Sequence, residues 1–134
     1  MLFGKEHVDR YVETDGEEGY EWRNGAPILI LTTRGRKSGA LHSSALIFGR
    51  HGADYLVVGS KGGAPAPPSW YVNLVANPEV HVQVKGDRFA ARARTAGPEE
   101  RPELWKTMTA VWPDYDQYQT RTEREIPVVI LTRV

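Results

Sequence analysis

A short cationic loop, RGRKSG at residues 34–39, is the feature of the sequence best suited to bind an anion. It places Arg34, Arg36 and Lys37 beside two glycines, between two segments with the composition of strands. Arginine offers a planar fork and lysine a point charge to a phosphate, and a glycine-rich turn exposes backbone N–H groups beside them. The spacing is not that of a Walker A loop. Two interpretations stay open from this loop alone, a phosphate site or a solvated hairpin loop.

A second loop of small residues, GSKGG at residues 59–63, follows an apolar segment. Backbone without bulky side chains lets a ligand approach closely, and Ser60 and Lys61 would supply a hydroxyl group and a charge there. A flexible connection would have the same composition. Two such loops at neighbouring strand ends strengthen the ligand-binding interpretation of each.

Aromatic residues recur at a spacing of three in a polar stretch broken by Pro113. Trp112, Tyr115 and Tyr118 would place their rings on one face of a helical turn or loop, where they could cap a pocket. A satellite hydrophobic cluster is the alternative. Trp70 begins the helical pattern after the second loop, where an aromatic side chain more often belongs to the core than to a ligand wall.

Residues with their own reactivity are scarce. The sequence has no cysteine, and its four histidines show no spacing typical of metal ligands, so we expect no metal site. Ser43 and Ser44 lie in no GxSxG motif. If the protein is an enzyme, the chemistry belongs to a bound cofactor, which the protein binds and orients.

Seventeen basic and 17 acidic residues give no net charge, but the charges are segregated. Residues 1–21 are strongly acidic, whereas residues 22–53 contain basic side chains and no acid. This indicates an anionic ligand, or a pairing of the two segments; nucleic acid is the weaker expectation in a neutral chain. No segment has the ~18 apolar residues of a membrane span, and the N-terminus lacks the pattern of a signal peptide. We expect a cytoplasmic protein.

The length of 134 residues suits a single domain over 1–134, with an acidic helix and loop at 1–21. Apolar periodicity predicts helices at 5–14, 70–78 and from Gly97 to near Trp112. β-branched or alternating segments predict six strands, at 28–33, 41–49, 55–60, 80–84, 88–96 and 126–132. The first three strands are expected to form an antiparallel meander. The predicted class is mainly β (α+β), an antiparallel sheet closed into a small barrel with short flanking helices.

The two loops and the sequence around them resemble a known family. The segments ILILTTRGRKSGALHSSALIF, YLVVGSKGGAPAPPSWYVNLVANPEVHVQV and YDQYQTRTEREIPVVILT are similar to those of the actinobacterial deazaflavin-dependent nitroreductases, and the similarity extends from about residue 20 to residue 134. The resemblance implies a split β-barrel like that of flavin mononucleotide (FMN)-binding reductases. It also implies the reduced 8-hydroxy-5-deazaflavin coenzyme F-420 as cofactor.

The resemblance assigns roles to individual residues. Arg36, Lys37 and Ser38 would hold the coenzyme's phosphate, and Ser60, Lys61 and Gly62 would line the deazaflavin edge. The complete implied coenzyme site consists of Arg36, Lys37, Ser38, Gly39, Ser60, Lys61, Gly62, Gly63, Ala64, Pro65, Trp70 and Asn73. The implied substrate lid consists of Trp112, Tyr115 and Tyr118, and the candidate catalytic hydroxyl groups are those of Ser60, Tyr115 and Tyr118.

These roles lead to a functional hypothesis, a deazaflavin-dependent oxidoreductase that passes hydride to a quinone or a nitroaromatic acceptor. Trp112 and His42 replace a tyrosine and an arginine of the prodrug-activating member, which weakens the expectation of nitroimidazole reduction. A non-catalytic deazaflavin carrier and an FMN-binding reductase on the same barrel are the alternatives. We further expect a monomer or weak homodimer, in the cytoplasm or at a membrane surface if the acceptor is a lipid quinone.

Overall fold

The computed structural model describes residues 2–134 as an antiparallel sheet with four helices around it. The helices are α1 (Gly4–Thr14), α2 (Ser69–Ala76), α3 (Arg101–Val111) and α4 (Asp114–Thr120). The strands are β1 (Ile28–Arg34), β2 (Leu41–Ile47), β3 (Gly49–His51), β4 (Asp54–Val58), β5 (Glu79–Val84), β6 (Asp87–Thr95) and β7 (Val128–Arg133). Single 3-10 turns occupy Arg23–Gly25 and Lys61–Gly63.

The sheet curls into a split barrel. Its strand order is β2-β1-β5-β6-β7-β4-β3, and every neighbouring pair is antiparallel. β2 and β3 lie at opposite ends of this order but are separated in the chain by Phe48 alone. The sheet must therefore bend round until its two ends meet at Phe48, which confirms the predicted barrel.

The sequence prediction of six strands was wrong in number, because the second predicted strand is two strands. Up to Ile47 the segment pairs with β1, and from Gly49 it pairs with β4. At the corner the N–H of Phe48 donates to the carbonyl of Pro27 at 3.1 Å. The predicted meander is accordingly present only as two separate hairpins, β1-β2 and β3-β4.

The continuous apolar runs of β1 and β7 follow from burial on both faces. In β1, Leu29 and Leu31 belong to the barrel interior, whereas Ile28 and Ile30 lie in a cluster with Tyr11 of α1. β7 behaves in the same way, with one face inside the barrel and the other under α3 and α4. Side chains of a strand alternate between its faces, so a strand with helices outside it and a barrel inside needs apolar residues at every position.

Helix α1 is fastened to the barrel by Tyr11, whose side chain is fully buried. Its hydroxyl donates to the carbonyl of Ile28 at 2.9 Å and accepts from the N–H of Lys85 at 2.7 Å. The side chain of His7, also buried, donates through Nε2 to the carbonyl of Gly19 at 2.7 Å. These bonds fix the acidic N-terminal helix as one wall of the cleft described next.

Candidate active site

A cleft of about 860 Å³ opens between α1, β2, the GSKGG loop and α4. Strand β2 lines it along its whole length, because only one edge of that strand is paired, with β1. From the GSKGG loop, Ser60, Lys61 and Gly62 line the cleft. The three predicted lid residues, which come much later in the chain, also line it: Trp112, Tyr115 and Tyr118. The structure thus brings together residues that the chain separates widely.

A smaller recess of about 370 Å³ lies next to this cleft, between the RGRKSG loop and the start of α2. Arg36, Lys37 and Ser38 line it, and none of its nine lining residues is a carboxylate. His42, Ser44 and Trp70 belong to the walls of both cavities, so the recess and the cleft are continuous. The site therefore has a cationic end and an aromatic end.

Asn73 shapes the cationic loop from beneath. Its side chain is 4% exposed, and its Oδ1 accepts from the backbone N–H and the guanidinium group of Arg36 at 3.3 and 3.1 Å. Ser38 has a similar role, since its hydroxyl accepts from the N–H of Ala40 at 3.1 Å. Arg36 and Lys37 remain exposed at the recess, where their charges can reach a phosphate.

The GSKGG loop makes a tight turn at the edge of the cleft. Lys61 has φ +46°, and Gly62 and Gly63 continue at φ +64° and +84°. Ser60 is 8% exposed, with its side chain at the cleft wall. Gly63 lies under α4, where a Cβ atom would come within 2.5 Å of the carbonyl oxygen of Tyr118. The loop and α4 are therefore in direct backbone contact.

The aromatic end of the cleft is a connected group of rings. Tyr115 and Tyr118 make an edge contact at 6.0 Å between ring centroids, and Trp112 donates through Nε1 to the hydroxyl of Tyr118 at 3.4 Å. Trp112 also packs against Trp22 at 5.5 Å. The rings lie partly in a hydrophobic core cluster and partly in the cleft wall. Their role as a substrate lid stays a prediction.

Burial keeps the hydroxyl of Tyr115 protonated into the alkaline range. Its side chain is 5% exposed, and desolvation, with a smaller contribution from Tyr118, raises the pKa of its hydroxyl well above the ordinary value of 10. Within residues 2–134 that hydroxyl makes no hydrogen bond. Tyr115 therefore presents a neutral O–H group at the cleft.

Not every residue of the implied coenzyme site lines a cavity. Arg36, Lys37, Ser38, Asn73 and Trp70 line the recess, and the residues from Ser60 to Gly62 line the cleft. Gly39, Gly63, Ala64 and Pro65 line neither cavity, and Gly39 and Gly63 serve the two loops through positive φ angles.

Sequence reasoning missed three parts of this site. Helix α1 contributes His7 to the cleft, Phe3 lines it just before that helix, and Trp22 packs between Phe3 and Trp112. The Nε1–H of Trp22 is the buried side-chain polar atom that lacks a hydrogen-bond partner among the described residues. Arg124, the third part, donates to three carbonyl groups around the GSKGG loop. The sequence offered one signal for Trp22, an aromatic residue directly after the acidic N-terminal segment. It offered no signal for Arg124, because that residue lies in a run of charged residues.

The part of the chain from residue 2 onward contains no group of three His, Asp or Glu residues able to hold a metal ion. Within the same part, no helix has the length and apolar character needed to cross a membrane. The side chains that line the two cavities suit an organic ligand instead. Cations lie at one end and aromatic side chains at the other, as a ligand with a phosphate and a planar ring would need.

The fold and the site define a split-barrel protein for a phosphorylated aromatic coenzyme. The sequence profile of the F420H2-dependent quinone reductase family matches residues 3–133. The chain is 40% identical over 130 residues to an F420H2-dependent quinone reductase of Mycobacterium tuberculosis, covering 95% of this chain and 87% of the relative. This chain belongs to the F420H2-dependent quinone reductase family.

Two solved structures agree with that assignment. An F420-H2 dependent reductase is 42% identical and superposes with a TM-score of 0.73, covering 78% of this chain and 93% of the other. A second solved chain, a domain-swapped dimer, is 40% identical with a TM-score of 0.76 and 95% coverage of both chains. The resemblance found in the sequence is thereby confirmed at the level of family and fold.

Proposed function

We propose that this chain transfers hydride from the reduced coenzyme F-420 to a quinone or a similar planar, electron-poor acceptor. One observation carries the proposal: the cationic recess opens directly into the aromatic cleft through His42, Ser44 and Trp70. A coenzyme with a phosphate and a planar ring would span both cavities, with the acceptor beside its ring in the larger one.

The recess is the proposed phosphate end of the coenzyme site. Arg36 and Lys37 would bind the phosphate by charge-assisted hydrogen bonds, while Asn73 holds the backbone and side chain of Arg36 in place. The absence of a carboxylate among the lining residues of the recess supports this assignment. Ser60, Lys61 and Gly62 would border the ring, and Trp70 would separate ring from phosphate.

When bound, the reduced deazaflavin supplies the hydride, so the chain itself needs no redox group. The protein's part is to hold two planar molecules in contact and to exclude water from between them. Trp112, Tyr115 and Tyr118 are suited to this, as they form an aromatic wall of the cleft next to the Gly-rich loop.

A quinone that accepts hydride gains negative charge on an oxygen atom, and a hydrogen-bond donor near that atom lowers the barrier. The Tyr115 hydroxyl is the proposed donor, because it lines the cleft, is protonated, and makes no bond within the described residues. Ser60 and Tyr118 are the other candidates. The Tyr118 hydroxyl accepts from Trp112, which orients it and leaves its O–H free to donate.

The choice of quinone rather than nitroimidazole rests on two positions. Trp112 and His42 both line the cleft, and both depart from the prodrug-activating pattern described above. The comparisons give no support to a flavin mononucleotide reductase or to a non-catalytic carrier.

A titration followed by a turnover assay tests the proposal. The purified protein is titrated with the reduced coenzyme, and a water-soluble quinone is then added while coenzyme oxidation is followed spectroscopically. Stoichiometric binding with turnover supports the proposal. Binding without turnover by any quinone or nitroaromatic would indicate a carrier, and tightly bound flavin mononucleotide without deazaflavin binding would indicate a flavin enzyme.

The organisation of the molecule is part of the proposal. The same sheet carries both ends of the site, which supports a single functional domain over the chain. We expect a monomer or weak homodimer in the cytoplasm, with contact to a membrane surface if the acceptor is a lipid quinone. The relative that forms a domain-swapped dimer favours instead the exchange of a segment between two copies. Sedimentation velocity at several protein concentrations separates a monomer or a dimer that dissociates on dilution from a dimer that persists.

A further inference from the structure

We infer that Arg124 is a positioning residue for hydride transfer, because it holds the GSKGG loop in shape and joins it to α4. The inference rests on the proposed function for its kinetic consequence, but its structural part concerns the chain alone. Arg124 lies between α4 and β7, and its side chain is half-buried beneath the loop.

The guanidinium group of Arg124 donates its hydrogen bonds to backbone carbonyl groups. Nη2 donates to the carbonyl of Gly59 at 3.2 Å and to that of Ser60 at 2.9 Å, and Nε donates to the carbonyl of Ala64 at 2.9 Å. The group thus bonds both arms of the turn. No carboxylate within residues 2–134 pairs with it, so it is a charged group devoted to the backbone.

The loop needs such a restraint. Lys61 is a residue with a side chain at φ +46°, a conformation that costs free energy and persists only where the surroundings impose it. The flanking glycines add conformational freedom rather than stiffness. Bonds from one planar side chain to residues on both sides of Lys61 supply the missing restraint, so that Ser60 and Lys61 keep a fixed place at the cleft.

The same residue connects the loop to the aromatic end of the site. Gln119 of α4 donates through Nε2 to the carbonyl of Arg124 at 2.8 Å. Arg121 reinforces the connection, since its guanidinium group lies 5.4 Å from the ring centroid of Tyr118 and donates to the carbonyl of Gly62 at 3.3 Å. The loop and α4 therefore form one unit, which would set the distance between coenzyme and acceptor.

Lysine cannot replace arginine in this role. Its ammonium group is a single point at the end of a flexible stem, whereas the guanidinium group presents several donors in a fixed plane. Arg124→Lys retains the positive charge and most of the stem but cannot bond the three carbonyl groups at once. The Arg124→Lys variant therefore tests the hydrogen-bond geometry of the side chain while its positive charge is kept.

The matched control is Arg101→Lys. Arg101 is also a half-buried arginine that bonds a backbone carbonyl, that of Ile126 at 2.6 Å. Its other contacts are with Gln119, the carboxylate of Glu125 and the ring of Trp105, and none of its contacts is with the loop. Both variants lose hydrogen bonds of the same type and should lose similar thermal stability. Only Arg124→Lys should loosen the GSKGG loop.

Two measurements test the inference. In the ligand-free protein, amide signals of Ser60, Lys61 and Gly62 in a ¹H–¹⁵N NMR spectrum should shift or broaden in Arg124→Lys and not in Arg101→Lys. In the loaded enzyme, coenzyme affinity measured calorimetrically should fall at least tenfold, and kcat should fall further at saturating coenzyme, in Arg124→Lys alone.

The outcomes separate this inference from the proposed function. Unchanged loop amides in Arg124→Lys, or equal losses of affinity and kcat in both variants, overturn the positioning role. If the wild-type protein binds no coenzyme, the proposed function fails, and the NMR comparison alone then decides whether Arg124 orders the loop.

Discussion

Gly63 lies directly against the backbone of Tyr118, with room for a hydrogen atom and for nothing larger. A Cβ atom at Gly63 would come within 2.5 Å of the Tyr118 carbonyl oxygen and 2.9 Å of Cβ of Arg121. The contact joins two neighbouring walls of the cleft, the GSKGG loop and α4. It gives the GSKGG motif a packing requirement in addition to its closeness to a ligand.

Gly63→Ala is predicted to destabilise the protein strongly. Overpacking against backbone costs about 1–3 kcal/mol, and a side chain at φ +84° adds about 1–2 kcal/mol. Denaturant unfolding measures the loss. Gly62→Ala is the matched control, because Gly62 has φ +64° but nothing within 4 Å of the added methyl group, so only the conformational cost should remain. Equal losses in the two variants would contradict the close packing of α4 on the loop.

A second prediction concerns the anion site. Lys37→Ala should weaken coenzyme binding about tenfold to a hundredfold, the loss of one charge-assisted bond of about 1.5–3 kcal/mol. Folding should be little affected, because Lys37 is exposed and lines the recess. Binding should also weaken as salt is added. Arg133→Ala is a control on charge alone, since Arg133 pairs with Asp87 and lines neither cavity. An unchanged affinity in Lys37→Ala would place the phosphate elsewhere.

The sequence predicted the elements that local pattern determines. The apolar runs at 28–33 and 126–132 became β1 and β7, and the cationic loop became a recess, because charge without nearby carboxylates is visible in the sequence itself. The division of the second strand at Phe48 was not predictable in this way. Gly49 is needed there because a Cβ atom would meet Sδ of Met108 at 2.6 Å, a contact with a distant helix.

Site residues escaped prediction for the same reason. Arg124 lies in the run TRTERE, which has the composition of a solvated segment, and only the folded chain shows three carbonyl groups around its side chain. Trp22 and α1 reach the cleft by packing on the outer face of β1 and β2. What local pattern cannot predict is which side chains meet across the sheet.

A third prediction concerns acid stability. Hydrogen bonds from Arg94 and from the N–H of Gly97 lower the pKa of Glu100 from 4.5 to about 2. Because this pKa is lower in the folded than in the unfolded chain, the stabilisation is present above about pH 4.5 and is lost as the pH falls toward 2. Glu100→Gln should therefore be less stable than wild type at pH 7, and the difference should shrink at pH 2–3. Thermal unfolding across that range measures it, and a difference independent of pH would contradict the ion pair.

The last prediction compares two tyrosines that lie one helical turn apart in α4. Tyr115→Phe removes a hydroxyl that is protonated and free of bonds within the described residues, whereas Tyr118→Phe removes one that accepts from Trp112. If Tyr115 donates to the acceptor oxygen, Tyr115→Phe should lower kcat about 10²-fold and leave coenzyme affinity unchanged. Tyr118→Phe should change kcat only a few-fold.

Alkaline pH gives an independent measurement on the same pair. The pKa of Tyr115 is raised in the folded chain, so the folded state keeps a proton that the unfolded state loses above pH 10, and stability falls as the pH rises beyond that value. Tyr115→Phe should flatten this decline, and Tyr118→Phe, which removes only the smaller contribution to the shift, should keep most of it. A large kcat loss in Tyr118→Phe with none in Tyr115→Phe would transfer the donor role to Tyr118. Small losses in both would leave the aromatic wall only the tasks of shaping the cleft and excluding water.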